Sequence, residues 1–310
     1  MRLLISITLF IFSSIIHAQQ TVIEQPTIAE EESTIEQPII IEEESAIDQR
    51  IQDEKKLQLL NFSLTPHKPN YLLPFVFNEK ISSYDVYPKN DNGKNNMQDL
   101  EVEFQISFKV PVFVEIADLP LSVFFGYTQV SFWQAYNTDN SSPFRETNYE
   151  PEIFATWQQD KELMASWSFK LATFGFTHQS NGRTEPLSRS WNRLNANMVF
   201  EKNNLIVGIN PWYRFSEAES EDNNPDLLDF YGHGQITIAY KISDHTISLM
   251  SRNNIESGFS KGSTRISWSF PIHNKVRGYF QIFSGYGNSL LEYNEYTNTI
   301  GLGISLTDWL

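Results

Sequence analysis

The chain has 310 residues, a formal net charge of −15 and no cysteine. The acid excess lacks the basic face that nucleic-acid binding requires. The absence of thiols removes any disulfide framework, although the first residues read as an export signal.

In that signal Arg2 is the charged start, Leu3 to Ile16 the apolar run, and Ile16-His17-Ala18 a small-residue cleavage site, so cleavage is expected after Ala18. An uncleaved anchor is the alternative, but the apolar run is short for a membrane helix, and no other stretch approaches the ~18 uninterrupted apolar residues that one needs. Residues 19–57 follow as an acidic linker. Residues 19–49 hold nine acids and no Lys or Arg, and they repeat with a period of 12. Ile23-Glu24-Gln25-Pro26 recurs as Ile35-Glu36-Gln37-Pro38, and Ile47-Asp48-Gln49 opens a third copy. A segment with no aromatics cannot bury a core, so it is expected to be disordered and periplasmic. It would act as a spacer, or bind cations or a periplasmic partner weakly.

From about residue 58 to 310 the pattern changes to a period of 2. Val102, Phe104, Ile106, Phe108 and Val110 alternate with Glu101, Glu103, Gln105, Ser107 and Lys109. Leu194, Ala196, Met198 and Phe200 make another apolar row, followed by a polar turn at Lys202-Asn203-Asn204. Ile236, Ile238, Tyr240 and Ile242 make a third, and Ile300, Leu302, Ile304 and Leu306 a fourth. At about 20 residues per strand and connection this gives about twelve strands. A soluble β-sandwich would also alternate. Export, charges on the polar face of strand after strand, and an ending on a strand with Trp309-Leu310 favour an all-β fold of another kind. That fold is a transmembrane antiparallel β-barrel of about twelve strands, apolar outside and polar inside, because only closure satisfies the strand backbone in lipid. Aromatics such as Trp191, Trp212, Tyr213, Phe215, Tyr279, Tyr286 and Trp309 fall near expected strand ends, as in interfacial girdles.

Between two such strands lies Thr177-His178-Gln179-Ser180-Asn181-Gly182-Arg183-Thr184-Glu185-Pro186-Leu187-Ser188-Arg189-Ser190-Trp191-Asn192-Arg193. By alternation His178 and Ser180 follow Ala172, Phe174 and Phe176 on the lipid face, and Asn192 lines up with Leu194 and Ala196 on the returning strand. A Ser hydroxyl becomes a nucleophile when a neighbouring base takes its proton. A His is such a base near neutral pH, and an Asn oxygen can hold its tautomer by accepting the ring N–H. A neutral amide stabilises an imidazolium less than a carboxylate does, so a metal ion, or backbone N–H groups in the Asn181-Gly182 turn, would have to help an oxyanion. The same residues also suit a polar rim cluster that holds lipid head groups or water. Spacing and shared face do not choose between the two.

These residues closely resemble the signature of the outer membrane phospholipase A family, in His178-Gln179-Ser180-Asn181-Gly182-Arg183 and in Ser188-Arg189-Ser190-Trp191-Asn192-Arg193. Further similar stretches are Asn70-Tyr71-Leu72, Tyr127-Thr128-Gln129, Ser141 to Pro151, Pro211-Trp212-Tyr213 and Ser284-Gly285-Tyr286-Gly287, so the likeness covers about residues 58–310. The resemblance implies a calcium-dependent hydrolase of phospholipid and lysophospholipid acyl esters, with A1/A2 activity. It would be active as a homodimer and dormant as a monomer. It carries nucleophile, base and orienter onto Ser180, His178 and Asn192, and an oxyanion N–H onto Gly182. Calcium ligands fall on the Arg183 carbonyl and Ser188 hydroxyl of one subunit and on Ser141 of the other. Glu185 stands where the family often has Asp, at a possible second metal site, and Gln129 falls at the dimer interface. A barrel that deacylates lipopolysaccharide, with a carboxylate orienter and no calcium, is a second enzymatic reading. A passive porin lined by Glu101, Glu103 and Lys109 is the non-enzymatic one. His67, His233, His245 and His273 show no partner at a useful spacing and read as solvated or interfacial.

Overall fold

The computed structural model describes residues 45–58, 64–81, 85–87, 89, 95–273 and 276–309. The signal expected over 1–18, and the linker as far as residue 44, lie outside the described residues. A helix α1 (Ala46–Gln58) and a two-residue strand β1 (Thr65–Pro66) come first. The wall follows as β2 (Asn70–Asn78), β3 (Leu100–Phe113), β4 (Leu121–Trp133), β5 (Phe144–Glu162), β6 (Ser168–Ser180) and β7 (Ser190–Lys202). It continues through β8 (Leu205–Arg214), a short helix α2 (Leu227–Tyr231), β9 (Gly234–Ile242) and β10 (His245–Asn253). Strands β11 (Gly262–His273), β12 (Val276–Tyr286) and β13 (Tyr296–Thr307) complete it. Each wall strand pairs antiparallel with the next, and β13 pairs with β2, so twelve strands close on themselves while β1 hangs on β3. Closure leaves no edge N–H or C=O facing lipid.

Alternation then separates two chemistries. Phe75, Ile106, Ile153, Phe174, Ile236 and Leu302 lie exposed on the outer wall. Glu101, Glu103, Gln105 and Ser107 are buried in the lumen, as their period predicts. Burying charge is tolerable only with partners. Arg145, with no exposed surface, donates from Nε and Nη2 to the two Glu101 oxygens at 2.8 Å each and from Nη1 to Glu292, which also accepts from the Tyr87 hydroxyl at 2.7 Å. Lower down, Lys68 pairs with Glu150 and Glu152, and Arg193 donates to Glu150 at 2.8 Å. His67 belongs to this layer: its Nε2 lies 2.9 Å from Glu152 and its ring stacks on Phe154. It is therefore neither solvated nor interfacial, because β1 carries it inside the wall.

The girdle expectation also needs correction in part. Tyr213 and Phe215 face outward, but Trp191 and Tyr279 are almost fully buried inside. Trp191 packs with Leu227, Tyr231, Leu290 and Tyr293, and Trp212 lies against that cluster. Tyr279 stacks on Tyr71 inside the barrel, over the intervening strand β13, with ring centroids 5.1 Å apart. Odd and even positions of one strand face opposite ways, so nearness to a strand end does not decide the side.

The expectation of disorder is corrected for residues 46–57, which are helical. Ser45 caps α1, with the Asp48 N–H donating to its Oγ at 3.1 Å, and Glu201 accepts from the Ala46 N–H at 2.9 Å and from the Ser45 hydroxyl. Arg50 donates to the carbonyls of His67 and Trp309, Lys109 meets Glu54 at 2.8 Å, and Lys170 meets Asp48 at 2.6 Å. Ile47 is buried against Ile206 and Ala239. The helix thus covers the end of the barrel where the two-residue turns at 203–204 and 243–244 lie. Short turns mark the periplasmic side and longer loops the outer side. The composition of this segment does not predict the docking, which depends on complementary partners from distant strands.

Burial alone would raise the Glu54 carboxyl, but Lys109 and Arg50 outweigh it and hold it below the usual Glu value. A depressed carboxyl contributes stability above its unfolded pKa and loses it as pH falls through the folded value. Glu54→Ala should therefore loosen α1 by roughly 1–3 kcal/mol, because Lys109 is left without its partner. Amide exchange over residues 46–57 should quicken in this variant at neutral pH, and in the parent chain on acidification below the ordinary Glu range. Exchange that is unchanged in both cases would refute the docking.

Candidate active site

The outer end of β6 and the start of β7 pair with His178 opposite Asn192, Thr177 opposite Arg193 and Ser180 opposite Ser190. Residues directly opposite on an antiparallel pair have Cβ atoms about 5 Å apart, which suits a ring-to-amide hydrogen bond. His178 Nδ1 lies 2.8 Å from Asn192 Oδ1. An amide oxygen only accepts, so Nδ1 carries the proton and Nε2 keeps its lone pair. Ser180 lies one side-chain repeat further along the same face, about 7 Å away along the backbone. Among the described residues its hydroxyl has no hydrogen-bond partner, which leaves Oγ free to turn toward Nε2. In resting sites such contacts are commonly long and tighten with substrate. The same face continues through Phe176, 39% exposed, and Phe174, 60% exposed. The polar groups therefore stand at the top of a greasy strip.

The loop between β6 and β7 is held by a residue that the sequence motif did not single out. Asn181 is buried; its Nδ2 donates to the Leu187 carbonyl at 2.8 Å, and its Oδ1 accepts from the N–H groups of Arg183 at 3.3 Å and Arg189 at 3.0 Å. Gly182 adopts φ +65°, and a Cβ there would meet the Tyr149 ring at 3.1 Å. Glycine takes this backbone conformation without strain, where a larger residue would crowd the ring. Arg183 turns its guanidinium inward to Glu146 at 3.1 Å and to the Arg145 carbonyl, which leaves its own backbone carbonyl as the group available for the role the motif implies.

Asn223, on the β8–β9 loop, reaches over this turn. Its Nδ2 donates to Glu185 at 3.2 Å and to the Ser188 hydroxyl at 2.9 Å. The Glu185 and Ser188 oxygens therefore converge on one point. Among the described residues no three His, Cys, Asp or Glu side chains gather as a metal cluster. A cation held here would take hydroxyl, carbonyl, carboxylate and water oxygens, the donor set of a hard ion that retains water. Ser141 lies apart on the β4–β5 loop at φ 58°, and the chain supplies only part of a six- to eight-oxygen shell by itself.

Gln129 stands on the outer wall between Ile106 of β3 and Tyr149 of β5, and Tyr149 in turn pairs with Ser180. Its amide is already engaged: Oε1 accepts from the Tyr127 hydroxyl at 3.0 Å and Nε2 donates to Ser131 Oγ at 3.0 Å. These partners lie within reach because residues two positions apart on a strand share a face. One N–H and one lone pair are left over.

The family model described as Phospholipase A1 matches residues 47–306, so its start falls within the third acidic repeat and not near residue 58. The phospholipase A1 of Escherichia coli K12 is 38% identical over 251 residues, covering 80% of this chain and 82% of the relative. A solved outer membrane phospholipase dimer from Salmonella typhi, described with bound calcium, superposes with a TM-score of 0.75 at 34% identity over 82% of this chain and 96% of its own. An Escherichia coli outer membrane phospholipase A with an active-site asparagine replaced by alanine superposes with a TM-score of 0.73 at 35% identity, covering 82% of this chain and 97% of its own.

Asn181→Ala removes three hydrogen bonds from a buried position and is expected to cost about 1–3 kcal/mol of local stability. Amide exchange over residues 182–189 should rise while that of β9 to β12 stays as it was. A loop that exchanges at the parent rate would show that Asn181 does not hold it.

Proposed function

The chain belongs to the Phospholipase A1 family and is an outer membrane β-barrel, and on that premise we propose that it cleaves phospholipid and lysophospholipid acyl esters by a Ser180–His178–Asn192 mechanism. The observation that carries this reading is the 2.8 Å contact between His178 Nδ1 and Asn192 Oδ1, made on the lipid face beside Ser180. With Nδ1 protonated, His178 Nε2 takes the Ser180 proton as Oγ bonds to the ester carbonyl carbon. The carbonyl oxygen becomes an oxyanion that the Gly182 N–H stabilises. His178 then gives the proton to the departing glycerol oxygen as the C–O bond breaks. Water, deprotonated by His178, attacks the acyl-enzyme; the fatty acid leaves and Ser180 regains its proton. A1 and A2 positions are both proposed as substrates.

The active form is a calcium-loaded homodimer and the monomer is dormant. The Arg183 carbonyl and the Ser188 hydroxyl would hold the ion together with Ser141 of the second copy, and Glu185 would offer a neighbouring carboxylate. When bound, calcium supplies positive charge that a neutral Asn does not. The spare N–H and lone pair of Gln129 face the second copy, where an unmet amide in lipid favours association. The calcium-bound dimer described for the Salmonella typhi relative and the active-site asparagine described for the Escherichia coli one support this reading. The porin alternative fits less well, because ion-paired layers cross the lumen at Arg145 and at Lys68, and α1 covers one end.

Fatty-acid release from phospholipid in detergent micelles tests the proposal. Release should stop with a calcium chelator, and Ser180→Ala should lower kcat by ~10³-fold or more. Parent-level release from the Ser180→Ala protein would overturn the mechanism.

A further inference from the structure

Asn192 raises a problem that Asp would not. An Asp offers His178 an acceptor whichever way its carboxyl turns. An Asn has one accepting end and one donating end, nearly equal in size. If the amide turned over, its NH₂ would face His178 Nδ1, which would then have to accept. The proton would move to Nε2, and the ring would have no lone pair for the Ser180 proton.

The other end of the amide meets a carboxylate. Asn192 Nδ2 donates to Glu217 Oε1 at 3.1 Å. Glu217 is half-buried on the β8–β9 loop just beyond β8. The loop is fastened close by: the Phe215 N–H donates to the Asn192 carbonyl at 2.9 Å, and Arg214 holds Asp222 at 2.7 Å and the Asn224 carbonyl at 2.9 Å. An ionised carboxylate has no proton to donate, so it is satisfied only by the NH₂ end.

We infer that Glu217 is a positioning residue that fixes which end of the Asn192 amide faces His178. This rests on the acyl-enzyme reading above. Glu217 touches neither substrate nor the reacting atoms. It acts through Asn192 by making one orientation of the amide favourable and the reverse one an apposition of two acceptors. Hydrogen bonds in such a chain polarise one another, so the carboxylate also makes Oδ1 a stronger acceptor for the imidazole N–H.

Three substitutions separate orientation from general support of the loop, with each barrel first checked for folding. Glu217→Ala removes the bias and should lower kcat by roughly tenfold, with KM within about twofold of the parent. Glu217→Gln still offers an acceptor and should lose less than Glu217→Ala. Glu217→Lys offers donors only, turns the amide over and should lose more, approaching Asn192→Ala. In the Asn192→Ala background all three should change the residual rate by less than about twofold, since no amide is left to orient. Equal losses for Ala, Gln and Lys, or losses that persist in the Asn192→Ala background, would overturn the inference and leave Glu217 as a loop support. Parent-level release from Ser180→Ala would instead overturn the mechanism on which it rests, so the two failures are distinct.

Discussion

In lipid a strand cannot leave its N–H and C=O groups unpaired, and the rest of this structure depends on that constraint. Twelve strands close between β13 and β2, and closure turns the period of 2 into an outside and an inside. Once the outside belongs to lipid, the inside has to be filled with what is left. Here that filling is polar: Arg145 between Glu101 and Glu292, and Lys68 between Glu150 and Glu152. Such pairs add little net stability, since desolvation offsets much of their attraction. Losing one partner is a different matter, because it strands a charge where water is scarce. Apolar clusters stand among these pairs, around Trp191 and Tyr231 on the outer side, around Ile47 and Ile206 under α1, and along the wall at Tyr71, Leu73, Val76 and Tyr279.

The same alternation makes the site. His178 and Asn192 can meet because antiparallel register sets them opposite each other, and they meet outside because their neighbours by two are Phe176 and Leu194. One residue of slip would send all three polar groups into the lumen. The long loops of the outer rim then bring in what the strands lack: the turn held by Asn181, the oxygens of Glu185 and Ser188, and the carboxylate of Glu217.

Much of this was legible in the sequence, for identifiable reasons. Alternation in residues such as Val102 to Val110 is a local signal, so strands, faces and the barrel could be read from it. The His178, Ser180 and Asn192 grouping could be read because both strands keep strict register into the loop. The parts that could not be read depend on contacts distant in sequence. Residues 46–58 open as a third copy of the acidic repeat, and their order becomes legible only once Lys109, Lys170 and Glu201 are placed around them. Trp191 and Tyr279 look like girdle residues until parity is counted from a fixed strand start. Glu217 sits in a loop with other acids, Glu219, Glu221 and Asp222, and only its meeting with Asn192 sets it apart.

The placement of charge around His178 has a physical logic. A formal charge on the lipid face of a barrel is destabilising, less for an acid than for a base and less toward the interface than at mid-membrane. An Asp beside His178 would put a permanent anion on the strand itself, next to Phe176. A neutral Asn avoids that cost but gives up both the charge and the fixed direction of a carboxylate. Placing Glu217 one hydrogen bond further out, on a loop at the aqueous rim, returns both to the imidazole through the amide, while the ion keeps part of its hydration. The neutral strand residue and the charged loop residue then divide between them what a single carboxylate does in a water-filled site.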